Sequence, residues 1–280
     1  MNAIILRRRK LGRTSCREIA AAMKSEIAVV RNDAHVPAAD FVFRWGTTSN
    51  VPKTPGQKVL NSAEAIHWCA DKKASRLAMQ DAGIPVPQTW PAAKFNFEGD
   101  DDDGGEFVLR RARHAQGKDL WHGDAAKICR DREKNSAHDG YVSRLIDKVA
   151  EYRVFVCQGR VVWVAQKKPG NPGQVAWNVA QGGEFSNVRW GEWHMPSCRA
   201  AILAALLSKT DFCGVDVMVD ADGNPYVLEV NSAPSQTSPY RQQCVAKAFD
   251  YIIKNGNEVI PCEKFKKWSD VAHPAILPAD

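Results

Sequence analysis

No run in this 280-residue sequence approaches the roughly 18 consecutive apolar residues that a membrane-spanning helix needs, so no membrane partner is expected. Its eight cysteines, at positions 16, 69, 129, 157, 198, 213, 244 and 262, include no C-x-x-C pair and no histidine at zinc-site spacing. That excludes a disulfide-stapled framework and a structural zinc site, and the thiols read as reduced, in a cytoplasmic protein. The opening "MNAIILRRRKLG" puts a short apolar run before a basic cluster, the reverse of a secretory signal. Internal repeats are lacking. Disorder over any long stretch is not expected either, because 44% hydrophobic and 25% charged residues are ordinary for a globular chain.

What is present is length enough for one large domain or two to three small lobes, and a net charge of +6. Such an excess can serve nucleic acid, acidic protein tails or the phosphates of a nucleotide. The sharpest basic run, "LRRRK" at 6 to 10, reads as a solvated strand end and loop. No aromatic stacking pattern or binding module accompanies it, so nucleic acid is not an expected partner.

Short apolar runs at 3 to 8, 26 to 31 and 40 to 45, with the helical "SCREIAAAMK" between the first two, predict a βαβ opening and a small parallel sheet. "VLNSAEAIHWCADKKASRLAMQDAG" predicts two helical stretches, closed at Gly83 before the extended "IPVPQTW". "NFEGDDDGG" is an exposed acidic turn leading into a strand at 106 to 112. From "GYVSRLIDK" onward the pattern gives a strand, a connection and a hairpin turning at "CQGR". A well-buried helix follows at 197 to 210, and then two strands joined by the Asp-Gly turn "DADGN".

Those last strands hold the most informative residues. Glu229 and Asn231 lie two apart on one face, and the hairpin brings Asp216 to the same neighbourhood. Three oxygen-bearing side chains in apolar strands suit Mg²⁺, a hard ion that takes remaining ligands from water and substrate phosphates. A buried polar ladder closing the hairpin would use the same residues. Upstream, "VLRRARHAQGKDLW" sets Arg110 on a strand before a small loop at Ala115, Gln116 and Gly117, where backbone N–H groups can approach phosphate. His114, at the loop mouth, is a candidate phosphate contact. His67 and Cys69 read as core residues of a helix, and Trp177, Trp190 and Trp193 as packing residues.

On these motifs the chain resembles the ATP-grasp enzymes, and most the glutamate-ligase and D-alanine:D-alanine-ligase branches. "LEVNSAP" is similar to the family's E-[VI]-N-x-x-P, "CADKKAS" and "AGIPVPQTW" to its Asp-Lys element and G-[IV]-P-x-P segment, and "AEYRVFVCQGRVV" to its D/E-x-R strand. "VAQKKPGNPGQVAWNVAQGG" resembles its basic strand and Asn-Gly-Gly loop. The resemblance implies an α/β fold of α+β lobes: a small parallel N-terminal lobe over 1–90, a central lobe over 91–146 and a C-terminal lobe over 147–280, clasping ATP. It makes Asp216, Glu229 and Asn231 the metal ligands, Lys72 the first phosphate-contacting lysine, and Arg153 the arginine at the transferred phosphoryl group. Lys167 or Lys168 and Asn178 fall at the triphosphate. Arg110 stands where the family has lysine, keeping the charge as a planar fork.

The adenine is implied at the lobe connection, against backbone of Arg144, Leu145 and Ile146, with Asp147 or Lys148 near the ribose. The implied cofactors are ATP and two Mg²⁺ ions, or Mn²⁺ in their place. The implied reaction joins a small-molecule or peptide carboxylate to an amine through an acyl phosphate. Arg44, Ser235 and Thr237 are the candidate substrate contacts. A phosphotransferase and a non-catalytic nucleotide switch remain alternatives.

Overall fold

Runs of β-branched and aromatic residues set the strands of three sheets. The computed structural model describes residues 2–10, 12–96, 104–114, 119–177, 179 and 182–256. The expected βαβ opening is present. β1 (Ala3–Arg7), β2 (Ile27–Arg31) and β3 (Phe41–Trp45) pair in parallel around the central β1, with α1 (Arg13–Ala22) as the first crossover. A fourth parallel strand, β4 (Lys58–Leu60), takes residues expected to be helical. The helix α2 (Ala63–Ala70) starts later because the Ser62 side chain caps it, accepting from the Ala65 N–H at 3.0 Å. Asp71 caps α3 (Lys72–Asp81) in the same way, so the two helices meet at one residue.

The middle sheet is antiparallel, in the order β5 (Thr89–Pro91), β8 (Tyr141–Arg144), β6 (Phe107–Arg110), β7 (Leu120–Gly123). Side chains alternate across it. Phe107, Leu109 and Val142 pack with Ile128 of α4 (Ala125–Lys134), which leaves Val108, Arg110, Tyr141 and Ser143 facing a cleft.

The large sheet is antiparallel too, ordered β11 (Glu184–Asn187), β10 (Arg160–Lys168), β9 (Lys148–Cys157), β12 (Phe212–Asp220), β13 (Pro225–Asn231). Both of its faces are covered, which explains the unbroken apolar runs in its central strands. Val154, Val156, Val215, Val217 and Val230 pack against α5 (Met195–Leu207) and residues of α2 and α3. Phe155, Trp163 and Phe212 pack against α6 (Pro239–Asn255) and the first sheet. Asn61 ties the sheets together. Fully buried at a φ of 64°, it accepts from the N–H groups of Asp211 and Phe212 (2.9 and 3.2 Å) and donates to the Phe212 carbonyl (2.9 Å).

Candidate active site

One face of the large sheet changes character along its length. At one end Phe155, Cys157, Trp163 and Phe212 belong to the aromatic core. Past Ala165 and Gly214 the same face carries Arg153, Glu151, Lys167, Asp216 and Glu229. The antiparallel register sets Lys167 opposite Glu151, and Asp216 opposite both Arg153 and Glu229. The ion pairs therefore follow from strand pairing, without any contribution from loops.

Buried charges must be paired, since an isolated ion loses several kcal/mol of hydration on the order of magnitude that applies inside proteins. Arg153 grips Asp216 in a fork, Nε to Oδ1 at 2.7 Å and a terminal nitrogen to Oδ2 at 2.8 Å. Lys167 Nζ donates to Asp216 at 2.8 Å and to Glu151 at 2.5 Å. Lys148 completes the chain by binding Glu151 and the Val175 carbonyl. Burial pushes the Asp216 carboxyl up, but Arg153 and Lys167 outweigh it and hold the group below the usual range. The same partners keep Lys167 charged against its own burial.

At the sheet edge, Glu229 accepts from Asn231 Nδ2 at 2.8 Å and faces Lys72 Nζ at 3.4 Å. Burial works to raise this carboxyl too, yet Lys72 and the Asn231 hydrogen bond hold it far below the ordinary value. Lys72 and Arg76, one turn apart on α3, donate to the outward carbonyls of Val230 and Leu228 on β13. These bonds satisfy an edge that would otherwise be unpaired.

Across the cleft, Arg110 bonds His114 Nδ1 at 2.5 Å, and His114 Nε2 meets the Tyr141 hydroxyl at 2.9 Å. Burial first, then the Arg110 charge, push the His114 imidazole down to about 3, so it is neutral at physiological pH. The two walls enclose a cleft of about 1530 Å³. Seven cations (Lys72, Arg76, Arg110, Arg144, Lys148, Arg153 and Lys167) and six carboxylates (Glu106, Asp147, Glu151, Glu184, Asp216 and Glu229) line it. Pro87, Val108, Leu145, Ile146, Met218 and Leu228 add an apolar part to the lining.

The residues singled out in the sequence fall into three groups. Lys72, Arg110, Arg153, Lys167, Asp216, Glu229 and Asn231 share this cleft, as do Arg144, Leu145, Ile146, Ser235 and Thr237. The backbone N–H groups of Arg144 and Leu145 are already bonded to Gln88 and Glu106, and Lys148 turns inward to Glu151. Lys168 is exposed, so the buried Lys167 is the cleft lysine. Arg44 is not in the cleft wall; it donates to the Ser49 carbonyl at 3.2 Å. Ala115, Gln116, Gly117 and Asn178 lie outside the described residues, as do the Trp190 side chain and most of the acidic turn. Cys69 and Trp193 are core residues as expected, but His67 is exposed on α2, and Trp177 lines the cleft under Lys148. Glu151 and Arg76 were not anticipated as cleft residues; for Glu151 the signal was its place two residues before Arg153.

No group of three His, Cys, Asp or Glu side chains able to hold a metal occurs among the described residues. The donor set is instead two carboxylates and one amide oxygen, which suits a hard cation that completes its shell with water and phosphate oxygens.

Comparison with known proteins gives a consistent picture. The model of an ATP-grasp domain family, numbered 3 within its clade, matches residues 86–249. A D-alanine–D-alanine ligase of Paraburkholderia phytofirmans is 27% identical over 207 residues, 66% of this chain and 62% of that relative, so the chain spans less than two thirds of its length. Among solved structures, the D-alanine–D-alanine ligase of Bacillus anthracis superposes with a TM-score of 0.68 at 17% identity, covering 91% of this chain and 96% of that one. The ATP-grasp ligase PsnB, complexed with a minimal precursor, gives 0.62 at 17% identity over 84% and 92%. At such identities the likeness is one of fold.

Proposed function

This chain belongs to the ATP-grasp proteins, and from that membership we propose that it is an ATP-dependent carboxylate–amine ligase. The observation that carries the reading is the cross-strand cluster. Asp216, Glu229 and Asn231 offer hard oxygens beside the cleft cations Lys72, Arg110, Arg153 and Lys167, a pairing of the kind that metal-bound nucleotide phosphates need. In this reading residues 1–90, 91–146 and 147–280 act as three lobes, and all three contribute to the cleft wall.

Each residue then has a task. Asp216, Glu229 and Asn231 would hold Mg²⁺, two ions in this reading, with Mn²⁺ able to take its place. When bound, Mg²⁺ neutralises charge on the β- and γ-phosphates. Lys72, Arg110 and Lys167 neutralise the remaining phosphate charge, joined by the Gln116–Gly117 loop and Asn178, while Arg153 orients the γ-phosphoryl group. The apolar lining around Ile146, Met218 and Leu228 takes the adenine, with Asp147 at the ribose. An oxygen of the acid attacks the γ-phosphorus and ADP leaves; the amine nitrogen attacks the acyl carbon and inorganic phosphate leaves. Positioning and exclusion of water do this work, and no protein nucleophile is needed. The thiols fit that role: the seven described cysteines are unpaired, and burial pushes those of Cys16, Cys69, Cys198 and Cys244 upward, away from reactivity. They also fit the reducing cytoplasm as its location.

The test is Mg²⁺-dependent turnover of ATP against a panel of amino acids and short acidic peptides, reading ADP, phosphate and the mass of any adduct. A condensed product, lost in Glu229→Gln while the variant keeps its fold, is the expected result. Wild-type activity in Glu229→Gln would sink the metal assignment, and a phosphorylated acceptor would move the protein to the phosphotransferases.

A further inference from the structure

Arg241 is assigned no task by the account above. It sits on the first turn of α6, 4% exposed, and forms no ion pair among the described residues. Its Nε has no hydrogen-bond partner, and a terminal nitrogen donates to Thr237 Oγ1 at 3.3 Å. The guanidinium carbon lies 5.4 Å from the ring centroids of both Trp163 and Phe185. Phe185 and Thr237 line the cleft, and the Arg241 charge lies immediately behind them. A buried guanidinium without a carboxylate is uncommon, because desolvation goes uncompensated. Burial, and then the charge of Arg153, push it down to about 10, a sign that the site favours a negative group.

The surroundings share this deficit. Gln236, fully buried and next to Thr237, has neither amide atom paired, and the Trp163 indole N–H has no acceptor. Donors outnumber acceptors among these orphans, which is what an anion-binding site without its anion presents. Phe185 also carries Arg153 at 5.0 Å, so the two guanidinium carbons lie within about 10 Å of each other on one ring. A four- or five-carbon dicarboxylate can bridge such a span with one carboxylate at each guanidinium, given N–H···O contacts of about 2.8 Å.

We propose that Arg241, with Thr237 at the cleft face, anchors a second, unreacted carboxylate of the acid substrate, which makes that substrate a short dicarboxylate. The inference rests on the ligase reading and narrows it. Arg241 fixes the remote carboxylate while the other is presented to the γ-phosphoryl group beside Arg153.

Two measurements separate this proposal from the reading beneath it. The first titrates glutarate and butyrate into protein loaded with Mg²⁺ and a non-hydrolysable ATP analogue. Glutarate should bind more tightly than butyrate by about 10- to 100-fold, the range for a charge-assisted contact. Arg241→Met should remove that preference, leaving butyrate and nucleotide affinity unchanged, and Arg241→Lys should restore part of it. Equal binding of the two acids by the wild type, or no binding of glutarate, overturns the subsite without reference to any variant. The second measurement traps acyl phosphate with hydroxylamine. Hydroxamate from glutarate well above that from butyrate supports both ideas. Glutarate binding without hydroxamate leaves the subsite standing and removes the ligase reading, whereas equal hydroxamate from both acids does the reverse.

Discussion

Asp216 and Glu229 face each other across two strands, and both stay ionised because each has its own cations: Arg153 and Lys167 for one, Lys72 for the other. His114 is the opposite case, a titratable group kept neutral by burial and by Arg110. Its value falls from 6.5 to about 3 on folding, so below pH 6.5 the unfolded chain takes up a proton that the native state refuses. Stability contributed by this residue is therefore intact above pH 6.5 and declines as the pH falls toward 3. His114→Gln should flatten the pH dependence of the urea midpoint between pH 6.5 and 5; an unchanged slope would mean that His114 is protonated in the folded protein. At this scale the Asp216–Glu229–Asn231 cluster was legible, because polar side chains in apolar strands stand out. Arg241 was not, because its meaning depends on Thr237, Phe185 and Trp163 being brought around it by three separate elements.

At the scale of elements, the site is an edge-to-edge property of β9, β10, β12 and β13, and its precision depends on how closely the loop after β13 lies over β12. A Cβ on Gly214 would come within 2.7 Å of Pro234 Cβ and 3.5 Å of Arg153 Cδ. Gly214→Ala should cost about 1–3 kcal/mol as overpacking and reduce turnover further by displacing Arg153. Wild-type kinetics in that variant would show that the loop yields freely. The long apolar strands could be read directly, since tertiary contacts only reinforce their β-branched runs. The three- and four-residue strands β4, β7 and β11 carry too little local pattern and exist through their pairing. α4 is largely polar, anchored by Ala125 and Ile128. α6 has the helical period, but its apolar face becomes meaningful only against the aromatic side of the large sheet.

Over the whole molecule, the first sheet is held to the large one by the shared aromatic core and by a few polar contacts. Asn61 joins the end of β4 to the start of β12, and Asp250 of α6 accepts from the N–H groups of Lys24 and Ser25 at 2.8 Å each. Asn61→Ala should destabilise by about 3 kcal/mol, through unpaired buried backbone groups and a left-handed conformation that alanine disfavours. An unchanged urea midpoint would show the junction to be redundant. The ATP-grasp fold was anticipated from the order of motifs, whereas the docking of α2 and α3 on the large sheet was not, because helix faces do not name their partners.

The measurement that tests the central claim most directly follows oxygen. With the acid that supports turnover labelled in its carboxylate with ¹⁸O, an acyl phosphate intermediate requires one labelled oxygen to appear in inorganic phosphate, together with ADP. Phosphate free of label, or AMP and pyrophosphate in place of ADP and phosphate, would contradict the assignment of Arg153 and the Asp216–Glu229–Asn231 cluster to transfer of the γ-phosphoryl group onto a carboxylate.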